Sequence, residues 1–433
     1  MARKLAHIEK VHDIRPIPGA DRIEQVRVLG WNVIVKKDEF KDGDLCIYVE
    51  IDSKMPENDA RYEFLASKHF KIKTMKMRGT ISQGIVFHLS DFPELKNVKE
   101  GQDVTDALGI TKIVTDEERR LAREEGFNKK NIERAKLSRV AKRFPNFVKS
   151  RIGRWLLGHK FTKVIILGLF GGKTQKPLQF PVWIRKTDEE RIQNLPHYCE
   201  LEDVFIATEK IDGTSTTFAV SAKNSKCKKY EFIVCSRNVR QATEDQANWH
   251  SQDCGNVYWE MAHKYNVQEV LTAIASENHW EKVVLQGETI GVGLQGNRYD
   301  LPDRQFYAFN FVVNGVRWDT LEAAKFLQAY GINWVPILET DFHMLPTVDD
   351  MLAYAEGYSV IVDGKKPREG IVFRARTDSE LSFKAVSNSF LLEKHPDLLA
   401  RDEAIRKEEA IRGRYMTKEE KKEFYKENNL TVS

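Results

Sequence analysis

Residues 207–220 read ATEKIDGTSTTFAV, and this stretch decides how the rest of the chain is read. VFIATEKI before the turn and STTFAVSA after it are rich in apolar and β-branched residues, which fits two strands. Between them Lys210 ends the first strand, and Asp212 and Gly213 supply the chemistry of a tight turn. A lysine that attacks phosphorus needs a deprotonated amine, so partial desolvation or a neighbouring cation is expected around Lys210. A carboxylate two residues on would position it. Taken alone, the pattern Lys-x-Asp-Gly equally describes a hairpin turn with a surface lysine.

Further polar groups stand at the ends of apolar strands downstream. Ser236-Arg237-Asn238 closes YEFIVCS, Gly287-Glu288 closes VVLQ, Phe309 lies within FYAFNF, Glu369-Gly370 opens GIVFRAR, and Lys384 sits in LSFKAVS. Strands mixed with helices from about 181 to 390 predict an α+β catalytic domain. Two phosphate-loop lookalikes are set aside. GVGLQG (Gly291, Gly293, Gly296) matches a dinucleotide fingerprint, but Asn-Arg-Tyr-Asp-Leu-Pro follows where a helix must begin. Gly171-Gly172-Lys173-Thr174 lacks the first glycine of a phosphate-binding loop, because Leu167 stands there.

Working toward the N-terminus, residues 1–107 read as short strands (EQVRVL, WNVIVK, LCIYVEI, GIVFHL) between the turns PGAD, KDGD and RGTISQG. They suggest a small OB-like β-barrel. From Glu117 to Lys163 the chain carries 15 Lys/Arg against 5 Glu, about +10, and is helical in period. This segment reads as a basic helical linker or insertion over 108–178, either a solvated face or a phosphate-contacting arm. Residues 391–433 read as a charged helical tail, with a capping box at Thr417–Glu420.

Composition excludes several classes. With 433 residues and 41% hydrophobic, more than one core is affordable and disorder is not expected. No apolar run reaches the roughly 18 residues of a spanning helix, so no membrane partner is expected. MARKLAHIEK has no apolar region behind its charges, which predicts an intracellular, cytoplasmic protein. Five cysteines in no ligand spacing speak against zinc and against a disulfide framework.

The ordered set EKIDG, SRN, GE, FYAFNF, EGIVF and FKAV resembles motifs I, Ia, III, IIIa, IV and V of the covalent nucleotidyltransferase superfamily of ATP-dependent DNA ligases, RNA ligases and mRNA capping enzymes. The resemblance covers about 180 residues. It implies an ATP-grasp-like nucleotidyltransferase domain over 179–390. It also implies that Lys210 becomes a lysyl-adenylate, that Asp212 orients the lysine or a metal-bound water, and that Lys384 contacts the α-phosphate. Glu209, Gly213, Arg237, Glu288, Phe309 and Glu369 would surround the nucleotide, with Phe309 on the adenine. Glu369 and Asp212 would serve the metal, magnesium with manganese able to substitute. The 49 residues after Lys384 are too few for the second OB domain of DNA ligases, and the OB-like domain comes first. That arrangement resembles the fifth RNA ligase family.

PVWIRKTDEERIQNLP, ahead of the nucleophile, also resembles RNA ligases and implies that Lys186, Thr187 and Arg191 serve the nucleotide or an end phosphate. The same stretch reads locally as a helix capped by Thr187 with Glu190 three residues on. One departure stands out: Ser382 replaces the earlier of two motif V lysines, shifting phosphate neutralisation to Lys384 or Arg374. The resemblance thus implies an ATP-dependent RNA ligase joining 3′-hydroxyl and 5′-phosphate ends at nicks or breaks, through lysyl-adenylate and 5′-adenylylated intermediates. Its partners would be RNA or RNA-containing duplex ends, and a monomer would suffice. A DNA ligase, a capping-type enzyme and a non-catalytic RNA-binding protein remain alternatives.

Overall fold

Period-2 alternation builds the N-terminal sheet. Val26 and Val28 on one strand and Trp31, Val33 and Val35 on the next are buried, while their neighbours are not, as a pleated strand with one face on a core requires. The computed structural model describes residues 3–113, 136–138, 140–170, 180–224, 227–241, 256–362 and 366–393. The chain divides into two units, residues 1–111 with 179–433, and residues 112–178.

In the first unit, strands β1 (Ala6–Pro16), β2 (Ile23–Val28), β3 (Trp31–Lys36), β4 (Leu45–Val49) and β9 (Ile85–His88) form a sheet in the order β3-β2-β1-β4-β9. Between β4 and β9, β5 (Ser53–Lys54) and β6 (Lys71–Ile72) join β10 (Thr111–Lys112) in a small sheet, and β7 (Met75–Met77) pairs with β8 (Thr80–Ser82). β1 serves twice: Ala6–Lys10 pairs with β4 and Val11–Pro16 with β2, across an irregularity at Asp13, whose φ is 55°. The bend curls the sheet until its edges meet, Gln83 N donating to Asn32 O (2.7 Å). This curled sheet is the expected OB-like domain. Its two cores lie on either side of the central strands, around Trp31 and Tyr48 and around Ile8, Ile47 and Tyr62.

Residues 180–393 form the expected α+β domain. One sheet is β11 (Glu190–Arg191), β20 (Ser382–Val386), β19 (Gly370–Ala375), β12 (Val204–Lys210) and β18 (Ile337–His343), in that order. The other is β14 (Cys227–Ser236), β13 (Thr214–Asn224), β15 (Lys282–Ile290), β16 (Gln305–Val313) and β17 (Val316–Arg317). Helices Val257–Lys264, Val267–Glu277 and Thr320–Gln328 cover the second sheet over Phe218, Leu285 and Phe311. Helix Val348–Ala355 covers the first over Phe205, Phe373 and Phe383. Residues 211–213 carry the chain from one sheet to the other, so the quoted turn lies where the sheets meet.

A polar seam joins the OB-like and α+β domains. Asn194 donates to Glu50 (2.7 Å) and accepts from Trp31 Nε1 (2.5 Å), and Arg191 pairs with Asp52 (3.1 Å). Gly30 N donates to Gln193 O at 2.8 Å, and a Cβ at Gly30 would lie 2.8 Å from Gln193 Cα, so only glycine permits this approach.

The second unit contains helices Pro145–Lys149, Arg151–Gly158 and Lys160–Phe170. Ser150 caps the middle one through Gly153 N (2.9 Å), and among the unit's described residues Val140, Gly153 and Leu167 are buried. Of the basic segment Glu117–Lys163, the described residues 136–138 and 140–163 lie mostly in helices. Its stretch 114–135, Gly171–Thr174 and the tail beyond 393, including Thr417–Glu420, lie outside the described residues.

The helix expected at Thr187 does not form. Residues 185–189 are non-helical and lead into β11. Asp188 and Glu189 are drawn into ion pairs with residues far along the chain, and these outweigh a local cap.

Candidate active site

Antiparallel pairing of β12 with β19 sets Lys210 opposite Gly370, which brings the preceding residue, Glu369, beside the lysine. Lys210 Nζ lies 2.8 Å from Glu369 Oε2. Burial pulls the lysine pKa down, but Glu369, Glu288 and Asp212 together raise it above the ordinary value. The amine therefore rests as an ion-paired ammonium, not as the deprotonated group expected from sequence. Nearby carboxylates outweigh desolvation here.

Glu288 reaches the same spot from the second sheet, through pairing with Ser215 on β13. Burial, with Glu369 and Asp212 adding to it, pushes its carboxyl up to about 8 against the pull of Lys210 and Arg237. In the linking turn, Asp212 N donates to Tyr299 Oη (2.9 Å). A Cβ at Gly213 would stand 2.4 Å from Thr289 O, so the turn needs glycine for close approach to β15. Glu209, on the opposite face of β12, is buried and accepts from Val360 N at 3.0 Å. Its carboxyl is raised, burial dominating over hydrogen bonds from Ser359 and Val360. Ile211, Ile290, Tyr299 and Val335 form an apolar floor against which Phe309 packs.

The other end has the opposite charge order. Asp188 lies 3.0 Å from Lys384 Nζ and 3.3 Å from Arg237 Nη2. Against partial desolvation, these cations lower its carboxyl to about 2. Burial takes Lys384 down to about 8, Asp188 resisting while Arg191 and Lys210 add to the fall. Lys186 is exposed and donates to Asn238 (3.0 Å), next to Arg237. Arg191, in register with Lys384 through β11 and β20, is buried and directs its guanidinium at Asp52 of the OB-like domain.

Arg374 does not face Lys384's partner. It is buried against Glu189 (3.2 Å) and donates to Phe309 O (3.1 Å). Ser382 donates its hydroxyl to the same Glu189. Glu189 thus ties together the serine that replaced a lysine, the neighbouring strand and the backbone of Phe309. Asp188 and Glu189 were missed in the sequence; the acidic run Asp188-Glu189-Glu190, about twenty residues ahead of Lys210, was their only mark.

The GVGLQG stretch is a loop, with Gly291 at φ 116° and a three-residue turn at Gln295–Asn297 in place of a helix. Gln295 from this loop and Asp212 line a cavity of about 400 Å³, together with Arg298 and the OB-like domain's Asp52, Lys73 and Thr74.

The residues suit a divalent cation bound with a nucleotide. Among the described residues no group of three potential ligands could cage an ion alone. Asp212, Glu288 and Glu369 nevertheless bring three carboxyl groups around Lys210, and burial together with Glu369 and Asp212 holds the Glu288 carboxyl up at about 8. Magnesium binds in this way, through one or two carboxylates completed by phosphate oxygens and water.

Residues 203–386 match the RNA ligase family, and residues 5–89 match an OB-fold domain family. The chain is similar to an RNA ligase of Naegleria gruberi solved with diphosphate, at 30% identity and a TM-score of 0.66, covering 92% of this chain and 100% of that one. A variant of that ligase with AMP and manganese is 30% identical, TM-score 0.67, over 91% and 99% of the two chains. A variant with ATP and manganese is 29% identical, with the same TM-score and coverages. No curated protein sequence matches.

Proposed function

The chain belongs to the ATP-dependent RNA ligases with an N-terminal OB-fold domain, and from that membership we propose that Lys210 is its nucleophile. Lys210 Nζ loses its proton and attacks the α-phosphorus of ATP. A nitrogen–phosphorus bond forms, the bond to the bridging oxygen breaks, and diphosphate leaves. An oxygen of an RNA 5′-phosphate then attacks the same phosphorus, the lysine nitrogen departs and regains a proton, and the RNA end is capped by AMP. Finally a 3′-hydroxyl attacks the 5′-phosphorus, yields its proton and expels AMP as the strands join.

The observation that carries this reading is the Lys210–Glu369 pair at 2.8 Å, backed by Glu288 and faced by the Lys384 cluster. Lys384 and Arg237 take up charge on the phosphate oxygens, having Asp188 to exchange for them. Phe309 supports the adenine, with its backbone held by Arg374. Asp212 and Glu369, with Glu288 beside them, would hold magnesium or manganese, which when bound would neutralise phosphate charge and ease deprotonation of Lys210. Glu209 and Gly213 shape the nucleotide pocket, and Lys186 faces an end phosphate. Arg191 acts as the tie between the phosphate end and the OB-fold domain.

The domain division proposed is 1–107 for the OB-fold domain, 108–178 for the basic insertion, 179–390 for the nucleotidyltransferase domain and 391–433 for a tail. RNA-containing duplex ends are the proposed substrate, held by the OB-fold domain beside the 400 Å³ cavity. The proposed site residues meet within one chain, so a monomer would suffice. Buried free thiols at Cys46 and Cys235 support a reducing compartment, the cytoplasm.

Incubation with α-labelled ATP or GTP and magnesium, followed by denaturing electrophoresis, tests the assignment. Label from ATP alone, absent in Lys210→Ala, is the expected result. Label retained by Lys210→Ala would remove this lysine as nucleophile, and a GTP-specific label would move the reading to capping chemistry.

A further inference from the structure

The helical stretch 136–170 lies outside both family-matched segments and carries none of the proposed site residues. Two independent features coincide on it. From Lys136 to Phe170 the sequence holds nine Lys/Arg and no Asp or Glu. The same stretch exposes large apolar side chains, with Ile152 at 70%, Trp155 at 61%, Phe161 at 78%, Val164 at 71% and Leu169 at 71% exposure.

Their spacing is ordered. Ile152 and Trp155 are three apart on helix Arg151–Gly158, and Phe161, Val164, Ile165 and Leu169 follow at three, four and eight along helix Lys160–Phe170. Each set falls on one helix face. The unit's internal packing uses other residues, Val140 and Leu167. Exposed apolar patches of this kind mark interaction surfaces.

A phosphate-contacting RNA arm would use the cations, yet it gains nothing from Val164, Ile165 or Leu169, since nucleic acid offers phosphates and stacking faces but no aliphatic groove. A solvated linker needs neither feature. The surface of a bilayer containing anionic lipid uses both: aliphatic and aromatic side chains enter the headgroup–acyl boundary, tryptophan sits at the headgroup level, and Lys/Arg meet lipid phosphates. We propose that helices Arg151–Gly158 and Lys160–Phe170 form an interfacial anchor that docks this ligase on an anionic membrane surface. The anchor lies in the plane of the interface: helices of 8 and 11 residues are far short of the roughly 20 needed to span. Cytoplasmic leaflets carry such lipids, so the anchor fits the proposed compartment.

Flotation of the full chain with vesicles of phosphatidylcholine and phosphatidylserine, against phosphatidylcholine alone, tests this. The variants are Phe161→Glu/Leu169→Glu and, as a milder change, Trp155→Ala, each checked for unchanged self-adenylation. The expected result is flotation with the anionic vesicles only, reduced at least about tenfold by the double substitution and less by Trp155→Ala. Absence of flotation, or flotation that the double substitution leaves unchanged, overturns the proposal. Loss of duplex-RNA binding or of a dimer in the double variant, without any vesicle binding, also overturns it and gives the face to RNA or to a second copy.

Discussion

At the nucleophile end of the site one lysine is crowded by Glu369, Glu288 and Asp212, whereas at the phosphate end one aspartate is clasped by Lys384 and Arg237. The two ends are charge inverses, and each already contains a partner that the substrate must displace. The surplus acids at one end suit a cation; the surplus bases at the other suit phosphate oxygens. In the proposed function ATP with its metal would supply both at once, so binding would exchange internal pairs for intermolecular ones without leaving a buried charge bare.

The most damaging way to break this arrangement is at its support. Glu189→Ala would leave Arg374 buried without its carboxylate, and a loss of about 3–5 kcal/mol in unfolding free energy by denaturant titration is expected. Glu189→Gln, which keeps an acceptor for Ser382 and Arg374, should recover part of it. Next comes Lys384→Ala, which removes charge from the phosphate end alone. Adenylation should slow by about 10²–10³ in single-turnover labelling while the fold is kept. A loss as small as twofold would show that Arg237 suffices there.

The OB-fold domain offers a third arrangement for comparison. His7 lies buried between Glu9 (2.7 Å) and Glu50 (3.5 Å), a cation between acids like Lys210 but within the OB-fold domain. Burial opposes its protonation, yet the two carboxylates raise its pKa to about 9 from 6.5. The folded state therefore binds the proton more tightly than the unfolded chain. Its stabilisation, about 3 kcal/mol at most, is fully present below pH 6.5 and is lost as pH rises through 9. Thermal unfolding of wild type and His7→Gln should converge between pH 6 and pH 9.5; parallel curves would refute the charged histidine.

The smallest effect sharpens the contrast most. Lys384 titrates near 8, and Asp188 is the neighbour that holds it up. The alkaline limb of kcat/KM for adenylation, which reports the free enzyme, should move down by roughly one pH unit in Asp188→Asn, about 1.4 kcal/mol. An unmoved limb would separate Lys384 from that titration.

Much of this was legible locally. WNVIVK and LCIYV announce strands through alternation or continuous apolar residues, and the ordered motifs place Lys210, Glu288 and Glu369 at strand ends that the sheets then bring together. The supporting charges were not legible. Lys384 meets Asp188 across 196 residues and Arg374 meets Glu189 across 185. Thr187 looked like a helix cap because capping is a short-range pattern, and nothing within a few residues records that two acids are claimed from the far end of the chain. The protonated state of Lys210 was missed for the same reason: its carboxylates come from the turn after β12, from within β15 and from the residue before β19.

Arg191 and Lys384 are register neighbours across the parallel strands β11 and β20, and the guanidinium of the first grips Asp52 of the OB-fold domain. Two residues of backbone are thus the shaft between the OB-fold domain and the cation proposed to meet ATP. A shift of Asp52 on RNA binding would be felt at Lys384 as torque on one short strand. Reciprocity then requires that whatever factor RNA applies to ATP affinity through this shaft, ATP returns to RNA affinity.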